Sequence, residues 1–233
     1  TYRDEAGRTG SQLLYRDDEA RLEVEAPGSA WSLGADGALF RLVSEARRIQ
    51  LAYLFDPLLA VSTSNVLPLP HQITAVYAEM PTRQPLRFLL ADDPGAGKTI
   101  MAGLLIQELK ARGLIKRILI VAPANLTFQW QRELKDKFRQ QFEVVRGAVL
   151  REHYGANPFQ EKNQAITSVS WVSRIEDARD SVMRATWDLV IVDEAHKMSA
   201  YRSGREGKVN KTLAYQLGEQ LSERTDHYLL MTA

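Results

Sequence analysis

A glycine-rich loop that joins an apolar run to a helix constrains this 233-residue chain more than any other feature of its sequence. The loop, Asp93-Pro94-Gly95-Ala96-Gly97-Lys98-Thr99, follows the apolar run Leu86–Ala91 and precedes a predicted helix from Lys98 to about Arg112. A helix N-terminus leaves its first N–H groups free to bind an anion. Gly95 and Gly97 let the backbone curl so that further amides line the same concavity. The segment therefore predicts a phosphate-binding loop.

Each residue type in this loop suits a nucleotide phosphate bound together with magnesium. Lys98 can neutralise the β- and γ-phosphates, and the Thr99 hydroxyl can ligate Mg²⁺. The usual pattern begins with a glycine where this chain has Asp92, and the alternative interpretation is a glycine turn followed by a chance Lys-Thr pair. The predicted nucleotide-binding residues of the loop are Asp93, Pro94, Gly95, Ala96, Gly97, Lys98 and Thr99.

Two adjacent carboxylates at the end of another apolar run are the second informative feature. The run Leu189–Val192 is followed directly by Asp193 and Glu194, and burying such groups without partners is costly. At the carboxyl end of a parallel strand they can instead face the ligand crevice. We expect Asp193 to hold Mg²⁺ through its water shell and Glu194 to polarise an attacking water. The alternative is an acidic pair that caps a helix.

Apolar runs and helical patterns alternate along most of the chain. This alternation is typical of an α/β fold with a mainly parallel sheet covered by helices on both faces. Strands are predicted at Leu86–Ala91, Arg117–Ala122, Ala165–Val169, Leu189–Val192 and His227–Met231, with a weaker candidate at Val144–Leu150. Helices are predicted at Ala38–Leu54, His71–Met80, Lys98–Arg112, Leu126–Phe138, Arg174–Arg184 and Lys211–Leu221.

The first part of the chain has a different character. Residues 1–35 are polar and interrupted by glycines, which predicts a loose lead-in with one short strand at Arg21–Ala26. Asp36 is the expected N-cap of the helix that follows. We divide the chain into a small N-terminal extension, residues 1–65, and an α/β domain, residues 66–233. Because the chain stops directly after an apolar strand, it is expected to be a fragment of a longer protein.

Composition excludes several kinds of site. The chain has no cysteine, which excludes a disulfide framework, a thiolate zinc site, an iron–sulfur cluster and a cysteine nucleophile. Its apolar runs are too short to span a membrane, and no secretory leader follows Thr1, so a cytoplasmic location is expected. Residues 110–139 contain eight basic and two acidic side chains. Such a block can attract a polyanion, and the alternative is a set of solvated helix faces.

Taken together, Lys98-Thr99 and Asp193-Glu194-Ala195-His196 resemble the nucleotide site of superfamily-two helicases and translocases. The SWI/SNF-type branch is the nearer match, because it commonly begins its phosphate loop with paired acids, as Asp92-Asp93 does here. Ile118–Leu126 with Gln129-Trp130 is similar to the family's next motif, which lies along the nucleic-acid backbone.

The resemblance extends to other segments and covers about residues 66–233. Pro70-His71-Gln72 matches the family's upstream glutamine motif, and His227–Ala233 is similar to the start of the motif that couples hydrolysis to movement. Asn157-Pro158-Phe159 and Trp187-Asp188 are similar to segments of bacterial RNA-polymerase-associated ATPases and of helicase-like proteins from phage-defence islands.

This resemblance implies a RecA-like P-loop domain, the first of two in an ATP-driven translocase on double-stranded DNA. It implies ATP and Mg²⁺ as cofactors. It also implies DNA and a second RecA-like domain as partners, with RNA polymerase or a phage-defence complex as a further one and no membrane. In the family the second domain supplies arginine fingers, so this chain alone is expected to hydrolyse ATP slowly or not at all.

The resemblance also implies roles for individual residues. Gln72 would read the adenine edge, with a surface glutamine as the alternative. His196 would link the phosphate site to Thr232, whose strand is expected to lie between those that precede Lys98 and Asp193. The residues implied to contact the nucleic-acid backbone are Pro123, Asn125 and Thr127. An ordinary helix cap at Asn125 is the alternative.

Two further interpretations concern side chains near these motifs. Trp130 is expected to pack between helix and sheet, the alternative being a platform on which a base stacks. A second basic stretch predicts a mobile loop that meets DNA, and it contains Lys197, Arg202, Arg205, Lys208 and Lys211.

Two other functions remain open from the sequence. One is a small-molecule kinase or signalling GTPase built on the same loop. The other is a catalytically silent docking module for a polymerase or a phage-defence complex. The presence of both Lys98 and Glu194 argues against loss of catalysis.

Overall fold

The structure is a computed structural model that describes residues 2–3, 9–10, 36–81, 85–152, 156–203 and 208–233. Its contacts divide the chain into two compact units, Thr1–Ile49 and Gln50–Ala233. In the described part of the first unit, β1 (Tyr2–Arg3) pairs antiparallel with β2 (Thr9–Gly10). The predicted strand at Arg21–Ala26 lies outside the described residues.

The long helix α1 (Gly37–Phe55) matches the helix predicted at Ala38–Leu54. Asp36 is its N-cap, as expected. The Ala38 N–H donates to Asp36 Oδ1 at 2.8 Å, and the Phe40 N–H donates to the Asp36 carbonyl at 3.0 Å. The bond to Ala38 satisfies one of the N–H groups that a helix start leaves without a partner in the helix, and the bond to Phe40 is the first bond of the helix itself.

The division between the two units falls earlier than the sequence division after residue 65. Helix α2 (Leu59–Thr63) belongs to the second unit, and its residues Leu59 and Ala60 are buried there. The Ala60 N–H donates to the carboxylate of Glu108 at 3.0 Å, and the Tyr77 hydroxyl donates to the same oxygen at 2.9 Å. Residues 59–65 therefore contribute to the packing of the α/β unit.

The second unit is built on a six-stranded parallel sheet. Its strands are β3 (Arg87–Ala91), β4 (Ile118–Ala122), β5 (Glu143–Val144), β6 (Gln164–Ser168), β7 (Leu189–Val192) and β10 (His227–Thr232). Their order across the sheet is β3-β10-β7-β4-β6-β5. The last strand in sequence thus lies between β3 and β7, with Thr232 opposite Ala91 and Leu230 opposite Val192. This confirms the placement that the family resemblance implies.

Helices cover both faces of this sheet. They are α3 (Pro70–Thr74), α4 (Lys98–Ala111), α5 (Thr127–Phe138), α6 (Gly147–Glu152), α7 (Pro158–Glu161), α8 (Val169–Arg174), α9 (Glu176–Arg184) and α10 (Leu213–Glu223). Alternate residues of β4 enter different cores: Ile118 and Ile120 pack with α4 and α5, while Leu119 and Val121 pack with α8, α9 and α10. This two-sided burial explains why the central strands are continuously apolar.

Several predicted elements differ in detail. The strand predicted at Val144–Leu150 was wrong beyond Val144, because β5 is a two-residue edge strand and α6 follows it. The helix predicted at His71–Met80 is α3 followed by a wider π-helical turn over Ala75–Glu79. The helix predicted at Arg174–Arg184 is confirmed as α9, which begins two residues later; the short helix α8, which ends at Arg174 before the extended Ile175, was not predicted.

The prediction of a loop over the second basic stretch was also wrong where the structure describes it. Ala200–Ser203 (β8) and Lys208–Lys211 (β9) pair antiparallel, with Tyr201 opposite Asn210. The Lys211 ammonium lies 2.7 Å from both carboxylate oxygens of Glu219, so this cation is already paired. Arg205 lies outside the described residues. Among the described residues, the helices are each too short or too polar to reach across a bilayer.

Gly103 allows α4 and α5 to approach closely and generates a stability prediction. A Cβ at this position would lie 2.2 Å from the ring of Phe138, a side chain with no solvent exposure. Overpacking of this kind costs about 1–3 kcal/mol, which outweighs the gain of about 1 kcal/mol from replacing a helical glycine by alanine. We expect Gly103→Ala to lower the free energy of unfolding measured in urea.

Gly147→Ala is the matched control for that variant. Gly147 also lies in a helix, but the nearest neighbour of an added Cβ is Trp171 Nε1 at 3.6 Å, an ordinary contact. The control is expected to leave the stability unchanged or slightly higher. Equal stabilities for the two variants would contradict the tight packing of α4 on α5.

Candidate nucleotide site

The loop between β3 and α4 has the curled backbone that its glycines predict. Gly95 and Gly97 both have positive φ angles, +88° and +83°, and Gly97 is the residue from which α4 starts. The Ala96 N–H donates to the Asp93 carbonyl at 3.1 Å, which closes the turn. The loop is therefore a tight turn at a helix N-terminus, an arrangement that suits an anion.

Lys98 and Thr99 occupy the first turn of the helix that follows the loop. The Lys98 ammonium donates to the Asp92 carbonyl at 2.8 Å and to the Asp93 carbonyl at 2.9 Å. These two bonds fold the side chain back over the loop, so its charge lies at the predicted phosphate position. The Thr99 side chain is half-buried, while Asp93 and Pro94 are exposed.

Gln72 lies against the phosphate loop. Its side chain is 5% exposed; Nε2 donates to the Ala96 carbonyl at 2.9 Å, and Oε1 accepts the Leu69 N–H at 2.9 Å. A Cβ on Gly97 would lie 2.3 Å from Gln72 Nε2, so the loop and the glutamine fit only because Gly97 has no side chain. The imidazole of His71 also reaches the Ala96 carbonyl, at 3.1 Å. The adenine contact of Gln72 stays a prediction.

Asp193 follows β7 and is 8% exposed. Its Oδ2 accepts the indole N–H of Trp130 at 2.8 Å, and its Oδ1 accepts the Glu194 N–H at 2.9 Å. Burial raises the pKa of Asp193 above its usual value, and the hydrogen bonds from Trp130 and from the Glu194 N–H oppose that rise. The charge of Glu194 raises this pKa further, and the charge of Lys98 lowers it.

Glu194 turns the chain out of the sheet. It has a φ of +53°, an uncommon conformation for a residue other than glycine, and a single 3₁₀ turn over Ala195–Lys197 follows it. The carboxylate of Glu194 lies 3.2 Å from Nδ1 of His196. The same imidazole nitrogen lies 3.1 Å from the hydroxyl of Thr232 at the end of β10.

These contacts bring the two sequence motifs and Thr232 together at one edge of the sheet. Strands β3, β10 and β7 are adjacent and parallel, so the segments after their carboxyl ends meet. The Asp92 N–H donates to the Thr232 carbonyl at 3.3 Å, and His196 reaches the Thr232 hydroxyl from the other side. Thr232 therefore touches both the phosphate loop and the acidic motif.

The predicted nucleic-acid residues follow β4 at the same edge. Pro123 and Asn125 line a cleft of about 530 Å³ that also contains Arg174 and Lys197. The Thr127 hydroxyl, by contrast, is buried; it donates to the Ala124 carbonyl at 3.1 Å and accepts from Arg146 at 3.0 Å. Nucleic-acid contact by these residues stays a prediction.

Asn125 does not cap a helix, and several basic side chains of residues 110–139 already have partners. Helix α5 starts after Leu126 without a side-chain cap, so Asn125 is not its cap. Several cations of residues 110–139 are held by neighbours. Arg112 pairs with Glu108, Lys137 pairs with Glu133, and the guanidinium of Arg117 donates to the carbonyls of Thr186 and Phe159.

Sequence reasoning missed two features of this region. Trp130 is buried between α5 and the sheet, as expected, but its bond to Asp193 joins residues that lie 63 positions apart. Arg174 ends the helix after β6, the strand beside β4, so its place in the cleft follows from the strand order. Neither feature can be predicted without knowing which strands are neighbours in the sheet.

A family model for the SNF2-related domain matches residues 59–216, and one for a domain of unknown function matches residues 1–23. The chain is 34% identical over 196 residues to the RNA polymerase-associated protein RapA of Stutzerimonas stutzeri, covering 84% of this chain and 20% of that protein. It is 35% identical over 187 residues to RapA of Pseudomonas aeruginosa, and this match covers 80% of this chain and 19% of that protein. The chain thus spans about a fifth of the length of these relatives.

Among solved structures, the Sulfolobus solfataricus SWI2/SNF2 ATPase core in complex with double-stranded DNA is similar to this fold. The TM-score is 0.57 at 16% sequence identity, covering 73% of this chain and 32% of that one. The likeness supports the RecA-like fold of the six-stranded sheet. Because the SNF2-related model covers more than half of the chain, and the RapA proteins match most of it, this protein belongs to the SWI/SNF-type, helicase-like ATPases of the SNF2-related family.

Proposed function

We propose that this chain is the ATP-binding first motor domain of a DNA-dependent ATPase that moves along double-stranded DNA, completed by a second RecA-like domain. The observation that carries the proposal is the strand order: Lys98 follows β3, Asp193 and Glu194 follow β7, and β10 alone lies between these two strands of the sheet. The charge of Lys98 acts on Asp193 across this edge. One triphosphate with its magnesium can contact all three side chains.

Nucleotide binding would use the loop as it is folded. The amides at the start of α4 would face the phosphates, and the Lys98 ammonium would exchange the Asp92 and Asp93 carbonyls for phosphate oxygens. Gln72 would keep the loop in this shape through its bond to Ala96, and its place beside the loop supports a contact with adenine.

The residues present fit a magnesium ion. A threonine hydroxyl and a carboxylate are hard oxygen ligands of the kind that Mg²⁺ takes together with water and phosphate oxygens. Thr99 would bind it directly and Asp193 through water. When bound, the ion neutralises charge on the β- and γ-phosphates during transfer.

Hydrolysis would take place by in-line attack on the γ-phosphate. Glu194 orients the water; the water oxygen bonds to the γ-phosphorus, and the bond from that phosphorus to the β–γ bridging oxygen breaks, which leaves ADP and phosphate. His196 lies between Glu194 and Thr232, so it would report the state of the γ-phosphate to β10. Arginine fingers from the second domain are typically worth about 10³–10⁵ in rate, so the chain alone would be nearly inactive.

DNA is the proposed polymer, and RNA polymerase or a phage-defence complex the proposed protein partner, in the cytoplasm. The cleft lined by Pro123, Asn125, Arg174 and Lys197 supports contact with a phosphate backbone. The Sulfolobus core is in complex with double-stranded DNA, and the RapA relatives are RNA polymerase-associated proteins, which supports these two classes of partner.

The proposal predicts that nucleotide binding by the 233-residue chain depends on Lys98. We expect Lys98→Ala to weaken the binding of Mg²⁺ and ATPγS by at least about tenfold in calorimetry, because it removes the only lysine that lies over the loop among the described residues. Lys116→Ala is the control, since Lys116 is exposed at the opposite end of β4. Equal loss in both variants, or selective binding of guanine nucleotides by the wild type, would contradict the proposal.

The proposal also predicts that Glu194 acts in hydrolysis rather than in binding. In the protein that joins this chain to its second domain, Glu194→Gln should leave the affinity for ATPγS within about twofold and lower DNA-stimulated phosphate release by at least about 10². The matched control is Glu219→Gln, which changes a half-buried glutamate paired with Lys211. Unaltered turnover in Glu194→Gln would rule out this role. No turnover in the wild type would instead favour a silent docking module.

A further inference from the structure

The indole of Trp130 makes a hydrogen bond that packing alone does not require. Its N–H donates to Asp193 Oδ2 at 2.8 Å, and the two side chains are 2% and 8% exposed. We propose, on the basis of the proposed function, that Trp130 is a positioning residue for Asp193: it holds the carboxylate in the orientation that binds the magnesium of the nucleotide complex.

The two oxygens of Asp193 are held from different directions. Oδ1 accepts the N–H of Glu194, the next residue in the chain, and Oδ2 accepts the indole N–H from α5. A carboxylate has about four acceptor positions, so each oxygen keeps capacity for a water of the metal shell. A group fixed at both oxygens loses little freedom when it binds that water, and this is how outer-shell donors tune metal sites.

Trp130 is itself held firmly. It lies one turn after Thr127, the first residue of α5. The buried hydroxyl of Thr127 forms hydrogen bonds with the Ala124 carbonyl and the Arg146 guanidinium. At the other end of the helix, the ring of Phe138 is fully buried against Gly103. The indole is therefore presented by a rigid element, as the support of a binding site requires.

Trp187 is a second buried tryptophan, and its indole N–H has a different kind of acceptor. It is 5% exposed, and its N–H donates to a backbone carbonyl, that of Val182, at 3.3 Å. At Trp130 the acceptor is instead the side chain that the acidic motif assigns to the metal, and the bond is shorter. Trp187 packs in the core on the other face of the sheet, which makes it a matched control.

The test measures how much magnesium strengthens nucleotide binding. Calorimetry on the 233-residue chain gives the affinity for ATPγS with Mg²⁺ and with EDTA, and their ratio is the magnesium gain. Trp130→Phe keeps a ring in the core and removes the N–H. We expect it to lower the gain by about tenfold, the smaller effect usual for an outer-shell partner, and to leave the EDTA affinity unchanged.

Two further variants give the upper and lower limits for the loss of magnesium gain in Trp130→Phe. Asp193→Asn should abolish most of the gain, whereas Trp187→Phe, which also loses a buried indole bond, should leave it unchanged. Thermal melts of all variants check folding. A structural role alone would lower the melting temperature of Trp130→Phe and leave the gain intact, and that outcome overturns the proposal.

A spectroscopic measurement on the wild type needs no variant to fold. With ¹⁵N-labelled tryptophan, the Trp130 indole signal should shift on addition of Mg²⁺ with ATPγS and broaden when paramagnetic Mn²⁺ replaces Mg²⁺, while the Trp187 signal changes little. An unbroadened Trp130 signal overturns the proposal. A wild-type chain with no magnesium gain refutes the proposed function instead, so the two failures are distinguishable.

Discussion

The position of β10 between β3 and β7 is the constraint on which the rest of this structure depends. Parallel strands present their carboxyl ends at one edge, so this insertion sets Thr232 between the phosphate loop and the acidic motif. The distance between β3 and β7 is therefore fixed by the width of one intervening strand, β10, and does not depend on loops. His196 and the Asp92 N–H both reach Thr232 because of this spacing. Both motifs therefore contact the end of the same strand, β10.

Burial of charge at this edge is offset by donors from several elements. Asp193 is nearly enclosed, which raises its pKa, yet it receives one N–H from its own turn and one from α5. Lys98 is folded onto the carbonyls of its own loop, where its charge also favours the ionised Asp193. Backbone and core hold Asp193 in position, so the rearrangement that the proposed binding of a triphosphate requires is the release of Lys98 from those carbonyls.

The sequence relatives show the family of this chain, and the structural neighbour shows its fold. Over the aligned residues the relatives are about a third identical to this chain, but they are about four times as long, so they identify the motor domain and leave the activity of a whole protein as a proposal. The structural neighbour keeps the sheet at 16% identity. That contrast fits a fold whose core tolerates many apolar side chains, whereas the loop and acidic motifs need particular residue types. Membership of the SNF2-related family argues against a small-molecule kinase or a GTPase.

The sequence by itself determined most local elements and the residue types of the two motifs, because glycine spacing and apolar periodicity act over a few residues. It predicted the bounds of β7 and, within one or two residues, those of α4 and α5. It did not determine the hairpin β8–β9, the short edge strand β5 or the bond from Trp130 to Asp193. Those depend on partners distant in the chain, and only packing of the sheet and its helices decides which partners meet. The placement of β10 came from family resemblance, since no periodicity within a strand specifies its neighbours.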